Sequence, residues 1–410
     1  MKLFRCSCET KPVLYFENVQ CGSCGRLTGF CPESMELRPF TPVDSQEPTA
    51  PVGEPGPTTP SATNVWQDDE GRKYIQCANW TQHQVCNWML PLTTNENDQE
   101  PRSFSTDAEG LCPACRLNDI IPDLSVAANV PLWHGLEKAK RRCLFTLLEL
   151  RLPVESDWEV EDESTPPPLS FRFMSDKDAN THFQRPLKGE EPVLTGHADG
   201  VITINLAEAD DIARVQTRVA MQERYRTLLG HFRHECGHYY WEVFKVVDSE
   251  FVDAFRAVFG DENASYQEAL DRHYEQGPPV DWQNDFVSTY ATMHPWEDWA
   301  ETWAHYLHII DTLETQQSFS RNSEVLSDSV REVGLPFAVG SRDNTAASDF
   351  DAIMDLWIDA SIVLNSLNRS MGLPDPYPFV LHKPIQEKLR FVHNTIKRFY
   401  QVSAQSDAGS

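Results

Sequence analysis

Residues 226–242 read RTLLGHFRHECGHYYWE, and their spacing decides the fold around them. Tyr225, Leu228, Leu229, Phe232, Cys236, Tyr239, Tyr240 and Val243 recur at i, i+3, i+4 and i+7, which predicts an amphipathic helix over roughly 216–246. Within it, His234-Glu235-Cys236-Gly237-His238 sets two imidazoles one turn apart on one face, where both can reach a single ion at ~2.0–2.1 Å. Glu235 lies ~100° round the helix, beside such an ion rather than on it. From there it can take a proton from water whose pKa zinc lowers to about 7. A helix with two surface histidines is the plain alternative, so the rest of the chain has to decide.

A zinc ion that does chemistry needs a third protein ligand, and the position of that ligand defines the class. A metzincin has Gly and His three and six residues past the second histidine; Trp241 and Phe244 stand there. The stretch MHPWEDWAETWAHYLHI, 293–309, supplies a carboxylate instead. Pro295 suits the first turn of a helix, and Glu297 and Glu301 share a face with the small residues Ala300 and Ala304 beside them.

HExxH followed by ExxAE resembles the gluzincin arrangement, in which the first glutamate binds zinc and the second acid bonds a ligand histidine. The resemblance makes His234, His238 and Glu297 the ligands of a catalytic zinc and Glu235 the general base. Glu301 becomes the outer partner that holds a histidine tautomer, with exchange of roles between Glu297 and Glu301 left open. In lethal-factor-like gluzincins a tyrosine seven residues before the ligand glutamate points at the zinc; Tyr290 matches it and would donate to the developing oxyanion. The stretches GHADGVITINLAEAD (196–210) and 226–242 are similar to a family of zinc-binding metallopeptidases with an N-terminal zinc ribbon. That similarity covers most of the chain, apart from a Pro-rich insertion and the tail. It implies a zinc-dependent peptidase acting on peptide or protein substrates.

Several neighbours admit two readings. His231 is either a fourth metal contact or a capping or core histidine, and His294 either meets substrate or is an ordinary loop residue. His305 and His308 read as packing or solvent-facing, and Cys143 and Cys236 as small buried hydrophobes. The segment VITINL (201–206) is either an edge strand that pairs with an extended peptide or a buried core strand.

Nine of eleven cysteines fall in the first 115 residues. With no apolar leader at the N-terminus and no apolar run long enough to span a membrane, the expected setting is cytoplasmic, where clustered thiols read as metal ligands. Cys6, Cys8, Cys21 and Cys24 form two short knuckles that close a tetrahedron. Cys77, Cys86, Cys112 and Cys115 form a second set, with His83 as a possible substitute for one thiolate and Cys31 left over as a free thiol. The expected metal content is one catalytic zinc and one or two structural ones. A net charge of −27 argues against nucleic acid, so a protein partner is the better expectation for the zinc-ribbon region.

The expected organisation is zinc-ribbon knuckles at 1–38, a Pro-rich disordered insertion at 39–64, the second cysteine cluster at 65–124, a zincin-like peptidase domain at 125–400 and a disordered tail at 401–410. Residues 155–168, acidic and Pro-containing, read as a surface loop. Helical periodicity appears at 136–150 and strand alternation at 169–174 and 201–206, with further helices near 250–259, 264–275, 295–314, 348–367 and 383–400. The fold class is therefore α+β: a helix-rich zincin-like (gluzincin) domain behind a small β zinc-ribbon domain. The alternative to an enzyme is a catalytically inactive, zinc-stabilised protein-interaction module, against which Glu235 and Tyr290 stand.

Overall fold

The structure, a computed structural model, describes residues 2–43, 65–92, 110–154, 165–175, 195–211, 214–215, 227–322 and 350–407. They fall into two compact units, Lys2–Arg116 and Leu117–Ser410.

In the N-terminal unit β1 (Phe4–Arg5) pairs antiparallel with β2 (Val13–Leu14). Then β3 (Leu27–Cys31), β4 (Glu36–Pro42), β5 (Val65–Gln67), β6 (Lys73–Gln76) and β7 (Met89–Pro91) form an antiparallel sheet in sequence order. The short helices α1 (Ala78–His83) and α2 (Pro113–Arg116) follow β6 and β7. The core is a small aromatic cluster, with Phe30 against Phe16 at 4.9 Å and against Trp88 at 5.1 Å. A core of this size gives limited stability, so further cross-links matter here. Pro39–Pro42, expected in the disordered insertion, belong to β4 because buried Phe40 packs on Tyr74 at 5.2 Å. Residues 44–64, the rest of that insertion, lie outside the described residues.

The C-terminal unit opens with β8 (Asn118–Ile120), which pairs with β9 (Ser170–Met174) and so belongs to the compact unit that begins at Leu117. With β10 (Gly196–Ala198) and β11 (Val201–Asn205) they form a sheet in the order β10-β11-β9-β8. β9 runs parallel to both neighbours, and β10–β11 is an antiparallel hairpin. VITINL is thus an inner strand, with Ile202 and Ile204 buried, and β10 and β8 are the edges among the described residues. Helix α3 (Asn129–Glu149) makes the crossover from β8 to β9 that parallel pairing requires. It buries Lys140, which is tolerated because Glu137 lies 3.0 Å away and the Phe171 and Phe173 rings lie beneath the ammonium.

Among the described residues, six helices complete the unit: α4 (Leu228–Val247), α5 (Phe251–Phe259), α6 (Tyr266–Gln276), α7 (Pro295–Asn322), α8 (Phe350–Ser370) and α9 (Lys383–Asp407). α4 starts at Leu228 and not near 216: Thr227 is extended, and its hydroxyl accepts from the Gly230 N–H at 3.0 Å, an N-cap that ends the helix. Residues 216–226, Tyr225 among them, lie outside the described residues, as do 155–164 of the acidic loop. α9 continues to Asp407 because no Pro or Gly interrupts 385 to 408, so most of the expected disordered tail is helical; 408–410 are not described. No helix among the described residues is long and apolar enough to cross a membrane.

The contact that matters most is α4 against α7. A Cβ on Gly237 would stand 3.0 Å from Ala300 Cα and 3.1 Å from the Trp303 ring, so two small residues let the backbones approach closely. Trp299 Nε1 donates to the Gly237 carbonyl at 2.8 Å, locking that approach. Trp299, Trp303, Phe244, Phe251, Phe255 and Phe391 fill the space around it.

Candidate active site

Because α4 and α7 cross so closely, side chains from the two helices meet. His234 and His238 project from α4, and Glu297 comes from the first turn of α7, after Pro295. His234 Nε2 lies 3.2 Å from His238 Nε2 and 3.0 Å from Glu297 Oε2, and His238 Nε2 lies 3.3 Å from the same oxygen. Glu301, one turn further along α7, accepts from His234 Nδ1 at 2.7 Å. If Nδ1 donates there, Nε2 presents a lone pair, and three electron-rich atoms face one point. Only a positive charge makes that stable. Burial pushes the His234 ring toward neutrality, yet Glu297 and Glu301 hold its pKa well above the usual imidazole value. A cation among the three atoms would supply the same compensation, so the donor set fits zinc.

The carboxylates respond in kind. Burial opposes ionisation of Glu301, but the bond to His234 brings it down to about 2. Glu297 is held well below its ordinary range by His238 and His234, against burial. Glu235 is buried on α4, close enough for its charge to act on the Tyr266 and Tyr290 hydroxyls. Tyr290 stands with its ring 5.9 Å from that of His234. Burial, then Glu297, push its hydroxyl far above the ordinary phenol range, so it stays a donor.

The remaining histidines resolve as follows. His231 lies 3.3 Å from Glu208 and is not among the converging groups. His294 is buried and caps α7, its Nδ1 accepting from Trp296 N at 3.1 Å while Nε2 reaches the Ala264 carbonyl at 3.0 Å. His305 is buried and meets the Tyr377 hydroxyl at 2.9 Å, while His308 is half-buried with its ring tilted against that of Tyr377 at 5.4 Å. Cys143 and Cys236 are buried with their sulfurs 3.8 Å apart. Sequence reasoning missed Tyr266, whose hydroxyl donates to Glu297 Oε1 at 2.8 Å, and Trp296, whose ring lies 4.2 Å from that of His238. Ser265 at the start of α6, with Glu268 three residues on, signals a helix start there, but nothing in that pattern aims the next side chain at a metal centre.

In the N-terminal unit the ligand atoms of Cys6, Cys8, Cys21 and Cys24 lie within 4.8 Å of one another, and so do those of Cys77, Cys86, Cys112 and Cys115; His83 and Cys31 join neither set. The knuckles are shaped by backbone turns: Gly25 takes φ +72° and donates to the Cys21 carbonyl, and Cys115 N donates to Cys112 O at 2.9 Å. Backbone N–H groups of Trp88 and Cys112 point at the sulfurs of Cys86 and Cys77, each at 3.4 Å. The backbone N–H of Arg26 and then its guanidinium bring the Cys24 thiol down to about 6, while burial pushes Cys6 up to about 12.

Comparison with known proteins places the chain in a family. The profile of the family described as "Putative zinc-binding metallo-peptidase" matches residues 129–395, and that of a zinc-ribbon domain matches residues 3–126. The chain belongs to this metallopeptidase family. Its relatives include uncharacterised proteins of Mycobacterium tuberculosis and Mycobacterium bovis, each 39% identical over 399 residues that cover 97% of this chain and 95% of the relative. No solved structure matches the chain.

Proposed function

We propose that the chain is a gluzincin-type zinc peptidase that hydrolyses peptide bonds in peptides or proteins. The observation that carries this reading is the convergence of His234 Nε2, His238 Nε2 and Glu297 Oε2 within 3.3 Å of one another, next to a buried glutamate. Those three side chains hold the ion, and Glu301 fixes the His234 ring from behind. When bound, zinc supplies Lewis acidity at the scissile carbonyl and lowers the pKa of water at the site.

The chain's own residues do the rest. Glu235 takes the proton from the attacking water and returns it to the leaving amine. Tyr290, kept protonated, donates to the oxyanion that forms at the carbonyl oxygen. The strand β10, which lies at an edge of its sheet among the described residues and carries His197 to within 6.4 Å of the His238 ring, pairs with an extended substrate. The two four-cysteine sets serve as closed structural zinc sites, and the N-terminal unit presents a protein partner or substrate. Eleven cysteines without a disulfide suit a cytosolic setting.

Glu235→Gln tests the reading. It is expected to keep full zinc content while hydrolysis of a broad peptide library falls to background. A variant that still cleaves, or a wild-type protein that carries zinc and cleaves nothing in such a library, would leave the inactive interaction module as the account.

A further inference from the structure

Tyr266 occupies the first position of α6, after the Ser265 cap, and the residue is 38% exposed. Its hydroxyl nevertheless turns inward, donating to Glu297 Oε1 at 2.8 Å, with the Tyr290 hydroxyl 3.5 Å away. The two oxygens of one carboxylate thus have separate tasks. Oε2 faces both histidine nitrogens, and Oε1 is taken by a phenol.

The phenol is held in place by a buried histidine. His294 accepts from Trp296 N through Nδ1, so the proton lies on Nε2, which donates to the Ala264 carbonyl. The first turn of α7, which carries Glu297, and the lead into α6, which carries Tyr266, are therefore tied through one imidazole that is 4% exposed. The Tyr266 ring also lies 5.4 Å from that imidazole. A surface tyrosine with no task at the site would not need this support.

We propose that Tyr266 is a positioning residue that occupies Glu297 Oε1 and so restricts Glu297 to binding metal through Oε2 alone. The inference rests on the zinc peptidase reading only in placing an ion at this site. A carboxylate whose second oxygen is unengaged can swing to bind through both, and zinc readily accepts a fifth ligand atom. Counted together with water, that second oxygen would be the fifth contact, and it would crowd the place that water needs. Tyr266 prevents it by a charge-assisted hydrogen bond to the outer oxygen.

The test is Tyr266→Phe, which removes one hydroxyl from a part-exposed ring. The ion of the histidine–glutamate site is exchanged for cobalt by mild chelation, leaving zinc in the cysteine sets. Visible absorption then reports the number of ligand atoms, independently of turnover. The expected result is cobalt retained with its visible bands weakened and shifted, and kcat lowered about tenfold with KM little changed. Tyr290→Phe, by contrast, should lower kcat with the cobalt spectrum unchanged. A Tyr266→Phe spectrum that superimposes on wild type, or loss of cobalt as complete as in Glu297→Ala, would overturn the proposal. If the wild-type protein binds cobalt but hydrolyses no peptide, the peptidase reading fails while the spectral comparison still decides the role of Tyr266.

Discussion

The two units gather metal-binding side chains in opposite ways. In the N-terminal unit each set offers four thiols, and Cys77, Cys86, Cys112 and Cys115 are all buried. Four sulfurs around one ion leave no place for water, and in so small a core they do the work that apolar burial does elsewhere. In the C-terminal unit two nitrogens and one oxygen converge among the described residues, and two tyrosine hydroxyls and a glutamate stand beside them. That unit owes its fold to aromatic packing between α4 and α7, and its ion would arrive at a site already built. A closed set is a staple, whereas an open set backed by a rigid core is equipped for chemistry.

The largest effect expected from this contrast is in the N-terminal unit. Cys112→Ser removes a fully buried ligand, and structural zinc contributes an apparent ~10–16 kcal/mol to folding in small zinc-dependent modules. Two-dimensional amide spectra should show the resonances of Lys2–Arg116 collapse while those of the C-terminal helices persist. Persistence of both would show that the ribbon unit stands without its metal.

The next effect sits where α4 meets α7. Gly237→Ala drives a methyl into Ala300 Cα and Trp303, and overpacking of this kind costs about 1–3 kcal/mol. Because the same contact sets the distance between His238 and Glu297, zinc at that site should weaken together with denaturation stability. The cysteine sets should keep their metal. Unchanged stability would mean that the helices have slack at this crossing.

Acid should expose a smaller difference. Burial, then Arg233, hold the His308 ring down at about 3, and burial holds His305 at about 4, against about 6.5 in an unfolded chain. These depressed values mean that the unfolded state binds more protons between the two pKa values. Stability is therefore undiminished above pH ~6.5 and falls as pH drops from there toward 4, by at most about 1.4 kcal/mol per pH unit for each ring. Urea midpoints of the C-terminal transition between pH 7 and 4.5 should fall less steeply in His308→Leu than in wild type.

Much of the site was legible in the sequence because its ligands follow helical arithmetic. His234 and His238, and Glu297 and Glu301, are each one turn apart, and Ala300 beside the two glutamates is small enough to admit a close approach. What spacing does not encode is how separate segments are brought together. Tyr266 reaches Glu297 from a different helix through a loop anchored by His294, and no local pattern foretells that anchor. The start of α4 was set by Thr227, a cap that the unbroken apolar periodicity concealed. Likewise, the alternation of VITINL identifies a strand but is the same for an inner strand as for an edge, and the pairing with β9 and β10 decided it.

The most direct test is zinc content per intact chain, measured for wild type, Glu297→Ala and Glu301→Ala under identical purification. Three ions in wild type, two in Glu297→Ala and three more weakly held in Glu301→Ala would match a helix-borne carboxylate completing an open site. Two ions in every sample, all removed only by cysteine substitutions, would contradict it.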